Sequence, residues 1–294
     1  MSVSGTSPPQ SPRVAEGRRA RHSEEHEQPV DTQRLFGFDF INDSDCARTV
    51  ERILGGQPCD RWLPMVVTPN VDDIVRLNQP RHAGLADAER RSRYVLPDGQ
   101  PIVWISRLAG RSLAGRLPGS SLFPALWEQV SRDRRRAVVV APAASVGEAL
   151  RREHPDVAVV VPPYFDADDD AQLRDVVAEC RHQIERVDAE LVFIGIGFPK
   201  QQRIALALIE QLQAAGRPLP LFLLIGGSID LYLGRVPRAP DWIQRLGLEW
   251  FYRFLREPRR LFRRYFVTDM KFFPLAAKEL FRARSSRIDR EVTR

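Results

Sequence analysis

Five stretches of the chain are apolar without interruption: PMVVTPN (64–70), AVVVAP (137–142), VAVVVPP (157–163), LVFIGIG (191–197) and LFLLIGG (221–227). A strand with one wet face would alternate apolar and polar positions. Continuous runs of this length predict strands covered on both faces, as in a parallel sheet between helices. Helical segments are expected between them, over Val71–Asn78, Ser145–Arg152, Asp168–Val187 and Pro199–Ala215. Ser145 followed by Glu148 reads as a capping box, and the acidic start at Asp168 suits a helix N-terminus. Pro199 fits a first helical turn. Strands alternating with helices imply an α/β fold with a doubly wound, mostly parallel sheet and helices on both faces. No internal repeat is visible.

Sheets of this kind bind ligands beyond the carboxyl ends of their strands, so candidate chemistry is sought there. The first run ends in Thr68-Pro69-Asn70. Both polar side chains can hydrogen-bond a ligand, and Asn70 can equally cap the helix that follows. GIGFPKQQ (195–202) offers Gly195 and Gly197, but Lys200 stands where a dinucleotide fingerprint needs a third glycine. The turn can still cradle a phosphate or ribose on helix N–H groups, or be a plain strand-to-helix turn. Gly227 and Asp230 follow the last run in GGSIDLYLG, another place for close backbone approach. VLPDGQPIVW (95–104) sets Asp98 between apolar runs. It is either a hairpin or turn, or a carboxylate whose partial desolvation would suit a general base. Arg116 stands beside a Pro-Gly turn and by itself reads as a surface arginine. Neither GxxxxGK[ST] nor GxSxG occurs. The five histidines do not cluster, and DADDD (166–170) reads as a helix start, so no metal site is expected.

Charge changes the picture at one end. Residues 242–294 carry fourteen basic and six acidic side chains, leaving 30 basic against 32 acidic elsewhere. The basic character therefore belongs to the C-terminal part, and it seeks phosphates or an anionic surface. In EWFYRFLREPRRLFRRYF (249–266), Arg253, Arg256, Arg260 and Arg263 are spaced to share a helical stripe, with Pro258 set to kink the helix or to start a second one. Nucleic acid, a membrane, a phosphate-bearing substrate and plain solvent are all open to such a segment. The first 33 residues are rich in Ser, Pro, Arg and Glu and read as a disordered tail without a signal peptide. No apolar run approaches the roughly 20 residues that span a bilayer. Three widely spaced cysteines, Cys46, Cys59 and Cys180, argue against a disulfide framework and for a reducing compartment.

Taken in order, TPNVDDIVRLN, LPDGQPIVWISRLAGRSLAGRLPGSSL, VFIGIGFPKQQ and IGGSIDLYLGRVPRAPDWIQRLGLEWFYRFLREPRRLFRRY resemble the WecG/TagA/CpsF family of bacterial glycosyltransferases, from about residue 36 to residue 270. The resemblance implies a Rossmann-like core over 34–240 and an Arg/aromatic-rich appendage over 241–294 that docks on the membrane and completes the site. It implies an inverting enzyme at the cytoplasmic face of the membrane. Such an enzyme moves a hexose or N-acetylhexosamine, such as an N-acetylmannosamine-like sugar or glucose, from a UDP-sugar to a polyprenyl-pyrophosphate-linked saccharide in cell-surface polysaccharide synthesis. Asp98 falls on the family's general base. Thr68, Asn70, Arg116 and Gln201 fall on its substrate pocket, and Arg253, Arg260 and Arg263 match appendage arginines that reach the leaving phosphates. Gly197, Gly227 and Asp230 complete the expected substrate-binding set. No cofactor, metal or nucleic acid is expected; a homo-oligomer is left open. One departure is visible: Gln202 stands where the family usually has Glu, which bears on contacts to the donor. Two other readings remain: a UDP-sugar-binding assembly partner without activity, and a basic-tailed nucleic-acid binder.

Overall fold

The five apolar runs become strands of one six-stranded sheet. In the computed structural model the described residues are 31–56, 61–236, 239–240, 243 and 249–292, with side chains at 249, 250, 253, 260 and 286–292 outside that description. The strands are β3 (Leu63–Val67), β4 (Ser92–Val95), β5 (Ala137–Val140), β6 (Ala158–Val160), β7 (Leu191–Ile194) and β8 (Leu221–Leu224). Their order is β4-β3-β8-β7-β5-β6, and every pair is parallel. All residues of β5 and β7 are buried, which is why their sequences show no alternation. β4, SRYV, was not among the expected strands: it lies at the sheet edge, where a serine and an arginine are tolerated.

Ahead of the sheet, β1 (Thr32–Leu35) and β2 (Phe38–Ile41) form an antiparallel hairpin. Phe36 and Gly37 make its turn at φ 54 and 83. Two positive φ values match the right-handed twist of the strands, although phenylalanine rarely adopts one. The Phe36 ring packs on Phe272 at 5.3 Å, which holds it there. The tail expected to run to Gln33 therefore overlaps β1, whose first residue is Thr32. Residues 1–30 lie outside the described residues.

The helices are α1 (Cys46–Gly55), α2 (Val71–Leu77), α3 (Ala83–Arg90), α4 (Gln100–Leu108), α5 (Gly119–Arg132), α6 (Ala144–Glu153), α7 (Asp170–Val187), α8 (Lys200–Ala214) and α9 (Ser228–Tyr232). α1, α5 and α9 pack as one group; α2, α3, α7 and α8 pack as another. The expected cap of α6 is corrected: Ala143 occupies the N-cap with no side-chain bond, and Ser145 Oγ accepts from Arg235 Nη2 at 2.6 Å. Asp169 caps α7 through Ala171 and Gln172 N–H, so the DADDD run is a helix start.

The C-terminal segment contains α10 (Glu249–Arg256) and α11 (Pro258–Arg263). Pro258 takes the first position of α11, where its missing N–H costs nothing, so it starts a second helix. A π turn (Arg264–Thr268) and a 3₁₀ turn (Asp269–Lys271) lead into α12 (Phe272–Val292), which packs on α2 and α4. No helix among the described residues is long and apolar enough to cross a membrane.

Candidate active site

Four loops follow the carboxyl ends of neighbouring strands β4, β3, β8 and β7, and the start of α5 closes against them. Asp98 stands on the turn from β4 to α4, so Asp98-Gly99 is a strand-to-helix turn and not a hairpin. Its N–H donates to Pro69 O at 3.3 Å, tying it to the β3 loop. Its Oδ2 accepts from Gly119 N–H at 3.3 Å, the first residue of α5. Leu117 N–H donates to Pro97 O at 2.8 Å, which sets the neighbouring Arg116 beside the same turn. The half-buried Asp98 carboxylate thus meets the N-terminus of a 14-residue helix.

Gly119 is small for a reason. A Cβ there would sit 2.8 Å from Ser228 Oγ and 3.2 Å from Thr68 Oγ1. Thr68, Ser228 and the Gly119 N–H that holds Asp98 therefore share one small space. In the sequence Gly119 stands only as part of a Pro-Gly turn and Ser228 only within GGSIDLYLG; their meeting arises where three distant segments converge.

Asn70 is the N-cap of α2. Its Oδ1 accepts from Asp72 and Asp73 N–H at 2.9 and 3.2 Å, and Asp73 Oδ2 accepts from Asn70 N–H at 3.1 Å, closing a capping box. Gln201 is buried and its Oε1 accepts from Gly226 N–H at 3.1 Å, pinning a turn that needs φ 49 at Gly226. Gly197 and Gly227 are exposed with open space over them, and Asp230 lies half-buried on α9. Lys200 Nζ is 4.5 Å from the Tyr164 and Phe165 rings, with Tyr164 almost wholly exposed. Arg263 is exposed on α11; the Arg253 and Arg260 side chains lie outside the described residues.

Behind the loops lies a set of carboxylates. Gln202 is turned inward and its Nε2 donates to Glu89 Oε1 at 2.7 Å, both residues being 2% exposed. The departure at Gln202 is thus an internal contact to α3. Burial raises the Glu89 carboxyl to about 8, with Asp73 adding to the effect and the Gln202 bond opposing it. Burial likewise raises Asp73 to about 7 against its bond from Asn70 N–H, and the charges of Asp72 and Asp98 push the same way. Asp269, on the 3₁₀ turn, is raised to about 6 by burial and then by Asp72.

Residues 34–286 match the family model described as "Glycosyl transferase WecG/TagA/CpsF family". Among curated proteins, the chain is 31% identical over 178 residues to the N-acetylglucosaminyldiphosphoundecaprenol N-acetyl-beta-D-mannosaminyltransferase of Bacillus subtilis (strain 168), spanning 59% of this chain and 65% of that protein. It is 29% identical over 240 residues to the protein of the same name from Bacillus spizizenii, spanning 79% of this chain and 86% of that one. A Staphylococcus aureus (strain MRSA252) protein of that name is 22% identical over 234 residues, covering 77% and 85%. With a match that runs through the hairpin, the sheet, the strand-end loops and most of the basic C-terminal segment, the chain belongs to the WecG/TagA/CpsF family of glycosyl transferases.

Proposed function

We propose that the protein is an inverting glycosyltransferase. It takes an N-acetylhexosamine, of the N-acetylmannosamine type, from a UDP-sugar to a saccharide linked to polyprenyl diphosphate. The supporting names are those of the relatives, which act on an N-acetylglucosaminyl-diphosphoundecaprenol acceptor and transfer N-acetylmannosamine. The observation that carries the reading is Asp98: a carboxylate held by Gly119 N–H, on a backbone tied to the Pro69 carbonyl, at the carboxyl ends of the strands beside Thr68 and Ser228.

The chemistry is a single displacement. The acceptor hydroxyl oxygen bonds to the anomeric carbon as the bond from that carbon to the UDP oxygen breaks. The hydroxyl proton goes to Asp98, and UDP leaves with the bonding pair. The leaving diphosphate needs positive charge or N–H groups around it. Arg116 and the segment of Arg253, Arg260 and Arg263 are assigned that work, with no metal required. Because the acceptor is a lipid, the protein works as a peripheral protein at the cytoplasmic membrane surface.

The test is UDP release from a panel of UDP-sugars with a short-chain polyprenyl-diphosphoryl N-acetylglucosamine acceptor, with and without EDTA. Release is expected with one donor, dependent on acceptor and resistant to EDTA. Asp98→Asn should lower kcat by about 10²–10⁴-fold with UDP affinity nearly unchanged. Full turnover by that variant would remove Asp98 from the base role. UDP binding without release from any donor would favour a binding partner without activity.

A further inference from the structure

The chain leaves α11 through a π turn, and such turns re-aim side chains at functional places. Arg264 opens it. Around this residue the segment is mainly apolar and outward: Phe262, Phe266, Val267 and Met270 are all about half exposed. Arg264 points the other way. Its Nε is buried and lies 3.6 Å from Asp72 Oδ2.

Asp72 faces this guanidinium at ion-pair distance, and the buried Nε makes no hydrogen bond among the described residues. Asp72 is buried, and its other oxygen takes Arg76 Nε at 2.9 Å, so its charge is held between two guanidinium groups. It also sits in the first turn of α2, where its own N–H bonds to Asn70 Oδ1. The Thr68–Asn70 loop of the candidate site is therefore two residues from the point where the C-terminal segment is held. Leu261, buried at 5% exposure, anchors the same segment one turn earlier. Asp269 and Asp73 stand near enough to influence the pair electrostatically, so the cluster holds more carboxylates than guanidinium groups. Removing one guanidinium would leave buried negative charge without compensation, which is the costly way to break such a cluster.

We propose that Arg264 and Asp72 are positioning residues: a charge latch between the π turn and the first turn of α2 that seats the Arg/aromatic segment 249–271 beside the Thr68–Asn70 loop. Neither residue touches the reacting atoms; each acts through the placement of that segment. The seating stands on geometry alone, and its effect on turnover rests on the transferase reading.

The experiment is hydrogen exchange on the full-length chain, wild type against Arg264→Gln, Arg264→Lys, Asp72→Asn and the double variant Asp72→Asn/Arg264→Gln, with UDP release measured in parallel. Arg264→Gln should speed exchange across 249–271 and 71–77 by about tenfold or more, with α7 unchanged as the sign of an intact core. Arg264→Lys, which keeps a charge for Asp72, should recover most of the protection. Asp72→Asn, which also weakens the Arg76 pair, should loosen 249–271 at least as much as Arg264→Gln, and the double variant should be no worse than Asp72→Asn, since both changes break the Arg264–Asp72 contact. Arg259→Gln, which removes an exposed charge from the same segment, should leave exchange as in wild type. In the transfer assay kcat/KM should fall about 10- to 100-fold with Arg264→Gln and be partly restored with Arg264→Lys. Unchanged protection of 249–271 in Arg264→Gln, or effects of the two single variants that multiply in the double, would overturn the latch. Lost protection in a protein that transfers no sugar would keep the latch and sink the transferase reading instead.

Discussion

Glu89 and Gln202 form a pair whose chemistry depends on proton count. The Glu89 carboxyl binds its proton more tightly folded than unfolded, being raised from 4.5 to about 8 by burial. Its stabilising contribution is therefore complete below about pH 4.5 and is lost as pH rises through about 8. Glu89→Gln removes that titration while keeping a polar partner for Gln202. Urea unfolding at pH 5, 7 and 9 should show wild type losing stability on going alkaline, by on the order of a few kcal/mol, with the variant losing less. Equal slopes would mean that Glu89 is not held neutral. Some slope should persist in the variant, because Asp73 titrates at about 7 with the same sign. The sequence hinted at Asp98 through the Asp-Gly pair. It could not show Glu89, because nothing in AGLADAER tells that this glutamate turns inward to meet a residue far along the chain.

Elements were legible where burial was uniform. β5 and β7 run through the sheet interior, and their AVVV and LVFI read directly as strands. β1, β2 and β4 are four residues long and mix polar with apolar positions, β2 and β4 burying three of their four residues all the same; no continuous apolar run marks them, and pattern alone passed them over. At the start of α2 the sequence left two roles for Asn70, and the structure shows the cap, with its oxygen committed to two backbone N–H groups. A pair of substitutions separates the roles. Asn70→Ala should cost about 1 kcal/mol of stability. Asn70→Ser, which restores a capping oxygen, should recover it and bring transfer to within a few-fold of wild type. A stable Ser variant that stays inactive would give the Asn70 amide a direct ligand contact.

For the molecule as a whole, exposed apolar side chains gather at the C-terminal end: Phe251, Leu255, Phe262, Phe266, Val267, Met270, Phe273 and Phe281. They lie in the stretch that also holds the chain's basic excess. Apolar rings set among arginines suit an anionic bilayer surface, with about 1 kcal/mol per basic residue near it. The protein should co-sediment with vesicles containing anionic phospholipid, bind neutral vesicles weakly, and release as salt rises. Phe262→Ser/Phe266→Ser should weaken binding at every salt concentration, whereas losing arginines should mainly flatten the salt dependence. Equal binding to neutral and anionic vesicles would contradict this arrangement. The charge imbalance that points to this surface was plain in the sequence, but which arginine turns inward was not: Arg263 and Arg264 are neighbours in the chain, and at the π turn an exposed arginine is followed by a half-buried one whose Nε faces Asp72.

The ring contact between Phe36 and Phe272 has a temporal side. On the ribosome the hairpin emerges well before its packing partner, so this seam stays open while the whole sheet between them is being made. Arg111 meets Glu279 across a similar delay, at a separation of 168 positions along the chain. The α/β layers can assemble during translation from neighbours in sequence, but closure of the hairpin against α12 must wait until α12 has left the ribosome. Nascent chains halted before α12 should then expose the turn around Phe36 to protease, and the finished protein should shield it.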